Sequence, residues 1–202
     1  GRASDEPTAQ ELEGAAANIG DFLRIDTDSR AELPQPFDDS LVARPRIELP
    51  AALRAQSATD ALTRAEFAWG SSYQDSIRGF RGDFNHAPDA VYFAEREHDV
   101  EALLEWAAGA NVAVIPHGGG TSVVGGVRPE VPAGYDGTVV LELTSLNELL
   151  EVDALSGSAR IAAGAAGPLL ARPPAKHGLT LRFLPQSSEF ATLGGWIATR
   201  AG

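Results

Sequence analysis

The amino-acid sequence predicts a mixed α+β fold, and three observations lead to this prediction. A strand, an amphipathic helix and a second strand follow one another between Ala90 and Ile115, which is the order of a β-α-β unit. A loop with five glycines comes directly after the second strand. A strand-rich stretch then leads to a second loop, which contains Gly194 and Gly195. Two glycine loops on such a scaffold suit a long cofactor that contains phosphate.

Residues 1–86 precede this unit and are predicted to form a helical arm and a linker. The segment Asp26–Pro50 contains four prolines and many charges, so we expect it to be extended. Ser57 with Asp60 resembles a capping box and should begin a helix. The expected helices are Glu11–Leu23, Ser57–Phe67 and Ser72–Phe80, the last two separated by Trp69 and Gly70.

Residues 87–202 are predicted to form one domain around the β-α-β unit. Its expected elements are the strand Ala90–Ala94, the helix His98–Ala108 and the strand Val112–Ile115. Because a crossover helix joins the two strands, they should be parallel. The first glycine loop then lies at the carboxyl end of a strand, where ligands bind in open α/β sheets.

The remaining elements are predicted from alternation and turn signals. They are a strand at Thr138–Leu143, a hairpin of Leu149–Val152 and Ser158–Ala163 with a Ser156-Gly157 turn, and a helix at Pro168–His177. Two consecutive prolines, Pro173 and Pro174, should shorten that helix. A polar loop from Phe183 and a small-residue helix or turn complete the chain.

The first glycine loop, residues 116–126, is the strongest candidate for a ligand site. Successive glycines let backbone N–H groups point the same way, and such a set of amides holds a phosphate. Thr121 and Ser122 add hydroxyl donors. The Walker A pattern is absent because no Lys-Ser or Lys-Thr follows the last glycines, and Val123 stands where the Rossmann pattern needs its third glycine. A glycine-rich surface turn is the alternative interpretation.

Composition limits the classes of function. The net charge of −12 argues against nucleic acid and anionic membranes as main partners. The chain has no cysteine, and its four scattered histidines make no metal cluster, so we expect no metal. No apolar run has the length of a membrane span. The start of the chain carries no signal-peptide pattern, and Lys176 is the only lysine beside many arginines. A cytoplasmic protein of a GC-rich bacterium is the expectation.

The two loops together resemble a known family. The stretch Pro116–Ser122, and Pro185-Gln186-Ser187-Ser188 followed by Thr192–Gly195, are similar to the FAD-binding domain of the vanillyl-alcohol oxidase / p-cresol methylhydroxylase flavoproteins. The resemblance covers about Pro88 to Gly202. Within that family, Ser188–Ala201 looks most like alkyldihydroxyacetone-phosphate synthase and its bacterial relatives. The resemblance implies an FAD-binding domain of the p-cresol methylhydroxylase type, here incomplete at its C-terminal side.

The resemblance also implies a cofactor and the residues that hold it. FAD should be bound without a covalent link, since His117 precedes the glycines, whereas relatives that attach FAD through histidine have it after two glycines. Three segments are implied to contact the cofactor. They consist of Pro116, His117, Gly118, Gly119, Gly120, Thr121 and Ser122; of Gln186, Ser187, Ser188, Glu189, Phe190, Ala191 and Thr192; and of Thr199, Arg200, Ala201 and Gly202.

The implied activity is exchange of the acyl group of acyl-dihydroxyacetone phosphate for a fatty alcohol, a step of ether lipid synthesis without net redox change. The alternatives are an FAD-linked dehydrogenase of 2-hydroxy acids such as D-lactate or glycolate, and a non-catalytic FAD-binding scaffold. Catalytic residues are expected downstream of this chain, so we expect the chain by itself to bind FAD weakly and not to turn over. The substrate should be a small or lipid-like molecule. A homodimer and a peripheral membrane contact through missing parts are left open.

Finally, the loop interpretation makes a prediction for Gly119. A valine there should abolish FAD retention with little loss of fold, because its side chain would occupy the space that the diphosphate needs.

Overall fold

The computed structural model describes residues 8–24, 33–170, 178, 181, 183 and 185–201, and the chain divides into two compact units, residues 1–35 and 36–202. The first unit contains helix α1 (Ala9–Leu23), which confirms the predicted helix and starts two residues earlier. Thr8 caps it: the Glu11 amide donates to Thr8 Oγ1 at 3.3 Å, and the Thr8 amide donates to the Glu11 carboxylate at 2.8 Å. This is a reciprocal capping box.

The second unit contains both glycine loops and the main sheet. Its helices are α2 (Ala51–Arg54), α3 (Ala61–Glu66), α4 (Tyr73–Phe80), α5 (Glu97–Gly109) and α6 (Leu193–Thr199). Its strands are β1 (Ser57–Ala58), β2 (Ala90–Phe93), β3 (Val112–His117), β4 (Gly137–Glu142), β5 (Leu149–Asp153) and β6 (Ser158–Ile161). The boundary predicted near residue 87 falls inside this unit and stays a prediction.

The main sheet has the strand order β1-β2-β4-β3, and β2, β4 and β3 run parallel. The predicted β-α-β unit is confirmed as parallel, but its two strands are not neighbours. Strand β4 lies between them, with Val139 paired to Ala90 on one side and to Val114 on the other. Because β4 runs parallel to β3, the connection that begins with the first glycine loop has to cross from one end of the sheet to the other.

One face of the sheet is covered by α5. Leu103 and Ala107 of this helix are almost completely buried and belong to one cluster with Tyr92 and Leu141 of the strands. Leu49, from the segment that was predicted to be an extended arm, is also part of this cluster and is 4% exposed. The end of that segment is therefore part of the core. Burial of a leucine side chain stabilises a fold by about 2 kcal/mol.

The opposite face of the sheet is covered by the segment after α3. Phe67 packs against a cluster of Val91, Ile115 and Val140. Its ring also meets that of Phe93 edge-on, with 6.1 Å between the centroids. Successive side chains of each strand point to opposite faces of the sheet and so contribute to two separate apolar layers. The predicted mixed α+β fold is confirmed.

The predicted helix Ser57–Phe67 is wrong in its first half. Ser57 pairs with Tyr92 as part of β1, the antiparallel edge strand of the sheet. The helix starts only at Ala61, because Asp60 is itself the N-cap and its carboxylate accepts from the Thr63 amide at 2.9 Å. Asp60 was predicted to be the third residue of the helix, and an aspartate fits the cap position better.

The hairpin of β5 and β6 confirms the prediction from alternation. Gly157 adopts a positive φ of 66° in the turn. Asp153 closes this turn by accepting from the Leu155 amide at 2.9 Å. Of the helix predicted at Pro168–His177, residues 167–170 are helical, and the rest lies outside the described residues.

Candidate cofactor site

The first glycine loop begins where β3 ends, at His117. Gly120 and Gly125 have φ angles of 65° and 78°, which side chains other than glycine rarely adopt. Ser122 stabilises the loop internally, since its Oγ accepts from the Gly126 amide at 3.0 Å. The loop is therefore a defined turn, and its conformation depends on its glycines.

The backbone amides of this loop are unused. In the part of the chain that the structure describes, none of the N–H groups of residues 118–125 donates to an acceptor. The first five of these residues are half-buried, whereas Val123 and Val124 are exposed. Backbone donors that are shielded from water are almost always paired, so the run of unpaired donors, with residues 118–122 half-buried, indicates a site for an anionic ligand.

The second loop lies directly against the first. A Cβ atom on Gly119 would overlap the carbonyl oxygen of Phe190, and one on Gly118 would overlap the hydroxyl of Thr192. These two glycines are thus required by the packing of the two loops. The valine that was expected to block only the ligand at position 119 would instead collide with protein backbone, and its predicted small effect on the fold is wrong.

Unlike the first loop, the second loop pairs three of the seven amides of residues 186–192 within itself. The Ser188 amide donates to Pro185 O, and the Phe190 and Ala191 amides both donate to Ser187 O, at 2.8–3.0 Å. Thr192 caps α6 by accepting from the Gly195 amide at 3.3 Å. The second loop therefore offers an anion fewer free backbone donors than the first, and its position is fixed by the contact with Gly118 and Gly119.

The third predicted segment ends α6. Helix α6 has seven residues, so it places Thr199 about 10 Å along the helix from Thr192. The Thr199 hydroxyl donates to Gly195 O at 2.8 Å, and Arg200 adopts a left-handed φ of 51° that ends the helix. Residues 199–201 are thus separated from the contact between the two glycine loops, and Gly202 lies outside the described residues.

His117 lies under the first loop with its ring buried. It is 8% exposed and meets Phe67 edge-on, with 4.7 Å between the ring centroids. Burial lowers the pKa of this imidazole, and the negative charge of Glu142 only partly opposes the shift. The ring is therefore neutral at neutral pH, and its Nδ1 atom has no hydrogen-bond partner within the described residues.

The segment before α4 supports the first loop, which the sequence analysis did not predict. The Ser71 amide donates to Ser122 O at 2.8 Å, and the Ser71 hydroxyl donates to Gly120 O at 2.9 Å. A Cβ atom on Gly70 would lie 2.5 Å from Ser122 O, so this position requires glycine. The only signal in the sequence was the Trp69-Gly70 break between two helices.

An ion pair secures the far end of the same loop. Arg128 donates through Nε and Nη2 to Oδ1 of Asp75 in α4, at 2.8 and 2.6 Å. The Asp75 side chain is fully buried, and the Arg128 side chain is 18% exposed. Helix α4 thereby holds the chain just beyond Gly125 and Gly126.

Comparison with known proteins identifies the cofactor that fits this geometry. A family model described as "FAD binding domain" matches residues 88–202, which is more than half of the chain. The chain belongs to this FAD-binding domain family. Its cofactor is therefore FAD, and unpaired amides at the end of a parallel strand are suited to a diphosphate such as the one in FAD.

Relatives of this FAD-binding domain include enzymes of two kinds. "Alkyldihydroxyacetonephosphate synthase" of Dictyostelium discoideum is 37% identical over 140 residues, which is 69% of this chain and 23% of that protein. "Glycolate oxidase subunit GlcD" of Bacillus subtilis is 27% identical over 119 residues, which is 59% of this chain and 24% of that protein. The chain thus spans about a quarter of the length of these relatives.

A solved structure of an alkyldihydroxyacetonephosphate synthase has the same fold over most of this chain. The TM-score is 0.73 at 31% sequence identity, and the match covers 84% of this chain and 34% of the solved chain.

Within the described residues, no helix combines the length and apolar character of a membrane span. No group of three or more His, Asp or Glu side chains in the same residues could hold a metal ion.

Proposed function

We propose that the first glycine loop holds the diphosphate of FAD through its backbone amides. The observation that carries this proposal is the run of eight unpaired N–H groups in residues 118–125. Thr121 adds a hydroxyl group next to them, and the buried, neutral ring of His117 supports the loop from below. Because the protein has a net charge of −12, a diphosphate needs such a local set of donors to bind.

The second loop, Gln186–Thr192, has a different role in this proposal. Its backbone closes against Gly118 and Gly119 and so fixes the position of the first loop. It forms the wall beside the diphosphate rather than a second set of amide donors. Thr199–Gly202 remain a predicted contact with a more distant part of FAD, at the other end of α6.

We further propose that the whole protein is an alkyldihydroxyacetonephosphate synthase-like enzyme, which exchanges the acyl group of acyl-dihydroxyacetone phosphate for a fatty alcohol. The higher identity to the synthase, 37% against 27% for the glycolate oxidase subunit, supports this proposal. When bound, the flavin supplies the reactive centre, and the residues of this chain bind and orient it.

We propose a cytoplasmic location for the protein.

The test uses the protein expressed from its complete reading frame and purified with its flavin. Incubation with acyl-dihydroxyacetone phosphate and a radiolabelled fatty alcohol should release fatty acid and give a labelled ether product, without reducing an added dye. D-lactate and glycolate, in parallel samples, should leave the flavin absorbance unchanged. If either hydroxy acid bleaches the flavin and reduces the dye while no ether product forms, the synthase proposal is wrong and a dehydrogenase is the correct class.

A further inference from the structure

A cavity of about 270 Å³ lies at the end of the sheet opposite the first glycine loop. Asp89, which precedes β2, and Thr138, at the start of β4, form part of its wall. Four residue steps of β4 separate Thr138 from Glu142, so the wall of the cavity is about 13 Å from the carboxyl end of this strand. It is therefore separate from the proposed diphosphate site.

The charges around this cavity do not balance. The lining includes three arginines, Arg44, Arg46 and Arg64, and two acidic residues, Asp89 and Glu130. Arginines thus outnumber carboxylates in the lining by one, in a protein whose net charge is −12, although Asp60 from outside the lining also acts on Arg64. An excess of positive charge in a small cavity favours an anionic occupant.

Asp89 is already fully occupied by its own partners. The Arg46 amide donates to Asp89 Oδ1 at 2.7 Å, and Arg46 Nε and Nη2 donate to the two carboxylate oxygens at 3.1 and 2.6 Å. The Thr138 amide donates to Oδ2 at 2.7 Å. Asp89 therefore neutralises Arg46 and is not free to pair with a second arginine at close range.

Arg64 is the buried arginine of this lining. Its residue is 3% exposed, and its Nε donates to Pro88 O at 2.5 Å. Within the described residues, Arg64 takes part in no ion pair, and its two Nη atoms have no hydrogen-bond acceptor. Arg64 is one of the residues that line the cavity.

A buried arginine without a counter-ion is energetically costly. Burial lowers the pKa of the Arg64 guanidinium, and the charges of Asp89 and Asp60 only partly oppose the shift. Binding of an anion at the two Nη atoms would restore the missing charge and hydrogen bonds together, because a guanidinium donates two parallel bonds to an oxyanion.

We propose that this cavity is a binding site for a small oxyanion, a phosphate or carboxylate group, held by the Nη atoms of Arg64 with Arg44 at its rim. The cavity volume is at the lower end of the range for ligand pockets, which fits a small anion better than a nucleotide. The site is independent of the FAD site, so both can be occupied together.

The test is calorimetric titration with inorganic phosphate and, separately, with acetate, at constant ionic strength and with FAD at saturation so that the glycine loop is not available. We expect saturable binding of one anion per chain. Arg64→Met should weaken it at least about tenfold, and Arg44→Ala about threefold, because each removes a cationic contact. Arg160→Ala, which removes an exposed arginine of β6 outside the cavity, should leave the affinity unchanged.

Circular dichroism of each variant controls for folding. Arg44 is exposed, so Arg44→Ala keeps the test decisive if the loss of the buried Arg64 unfolds the chain. A stronger response to phosphate than to acetate would assign a phosphate group, and the reverse a carboxylate. Absence of saturable binding of both anions, or equal affinity of the wild type and Arg44→Ala, would overturn the proposal.

Discussion

Gly119 is glycine because backbone of the neighbouring loop occupies the place of its side chain. A Cβ atom there would overlap the carbonyl group of Phe190. A Cβ atom on Gly164 would likewise overlap the carbonyl oxygen of Leu143, and one on Gly118 would overlap the side-chain hydroxyl of Thr192. Glycine in these positions is thus a requirement of loop packing, and the effect of a substitution should appear in stability as well as in cofactor binding.

We predict that Gly119→Ala lowers the free energy of unfolding by about 2 kcal/mol, since the two loops must move apart to admit the methyl group. Urea denaturation followed by circular dichroism measures this change. The control is Gly109→Ala at the end of α5, where an added Cβ would meet no atom and the unfolding free energy should not fall. Full stability of Gly119→Ala together with lost FAD binding would mean that the position faces only the ligand.

His117 should make the stability of the protein depend on pH. Burial lowers its pKa in the folded chain below the ordinary value of 6.5, so the unfolded chain binds more protons as the pH falls through 6.5. The stabilisation is complete above that pH and is lost below it. Between pH 7.5 and pH 5.5 the contribution of His117 should fall by up to about 1.4 kcal/mol, the limit set by the single pH unit below 6.5 in this interval.

The measurement is urea denaturation of the wild type and of His117→Gln at these two pH values. The variant should lose less stability than the wild type on acidification, because glutamine does not titrate. Equal losses in the two proteins would show that the His117 ring is protonated as easily in the folded chain as in the unfolded one.

Among the secondary-structure elements, α4 and the turn before it position the first glycine loop. Ser71 bonds to the loop backbone twice, and Arg128 connects the segment beyond the loop to the buried Asp75. We predict that Arg128→Met destabilises the fold by about 2 kcal/mol, since the buried Asp75 carboxylate then keeps only the more distant Arg78 guanidinium, at 3.5 Å.

The same variant should also weaken FAD binding at least several-fold, because the loop loses one of its two attachments. Flavin fluorescence titration under conditions where the variant remains folded measures this effect. Arg160→Met, on the exposed strand β6, serves as the matched control and should change neither property. An FAD affinity equal to that of the wild type in folded Arg128→Met would contradict a positioning role for α4.

Local patterns in the sequence were sufficient to predict several elements of the fold. Alternation predicted the hairpin of β5 and β6, and amphipathic spacing predicted α5. The insertion of β4 between β2 and β3 was not predictable, because strand order depends on contacts between distant segments. For the same reason the packing role of Gly118 and Gly119 was not predicted beside their predicted contact with the cofactor, and neither was the support from Gly70 and Ser71. A glycine required by tertiary packing looks in the sequence like a glycine required by a ligand.

At the scale of the whole molecule, the amides at the carboxyl end of β3 have no acceptor among the described residues. His117 is buried against Phe67, beneath the loop. We therefore predict that FAD is bound without a covalent link. Acid precipitation of the flavin-loaded protein should leave the yellow colour in the supernatant, and a yellow pellet that survives washing would contradict this.

The central claim is that the backbone amides of residues 118–125 bind the diphosphate of FAD. Titration of the ¹⁵N-labelled chain, followed by amide chemical shifts, tests it most directly. FAD should shift the signals of these eight residues in a saturable manner, whereas riboflavin, which has no phosphate, should leave them in place. Saturable FAD binding without movement of these signals, or equal shifts with riboflavin, would contradict the claim.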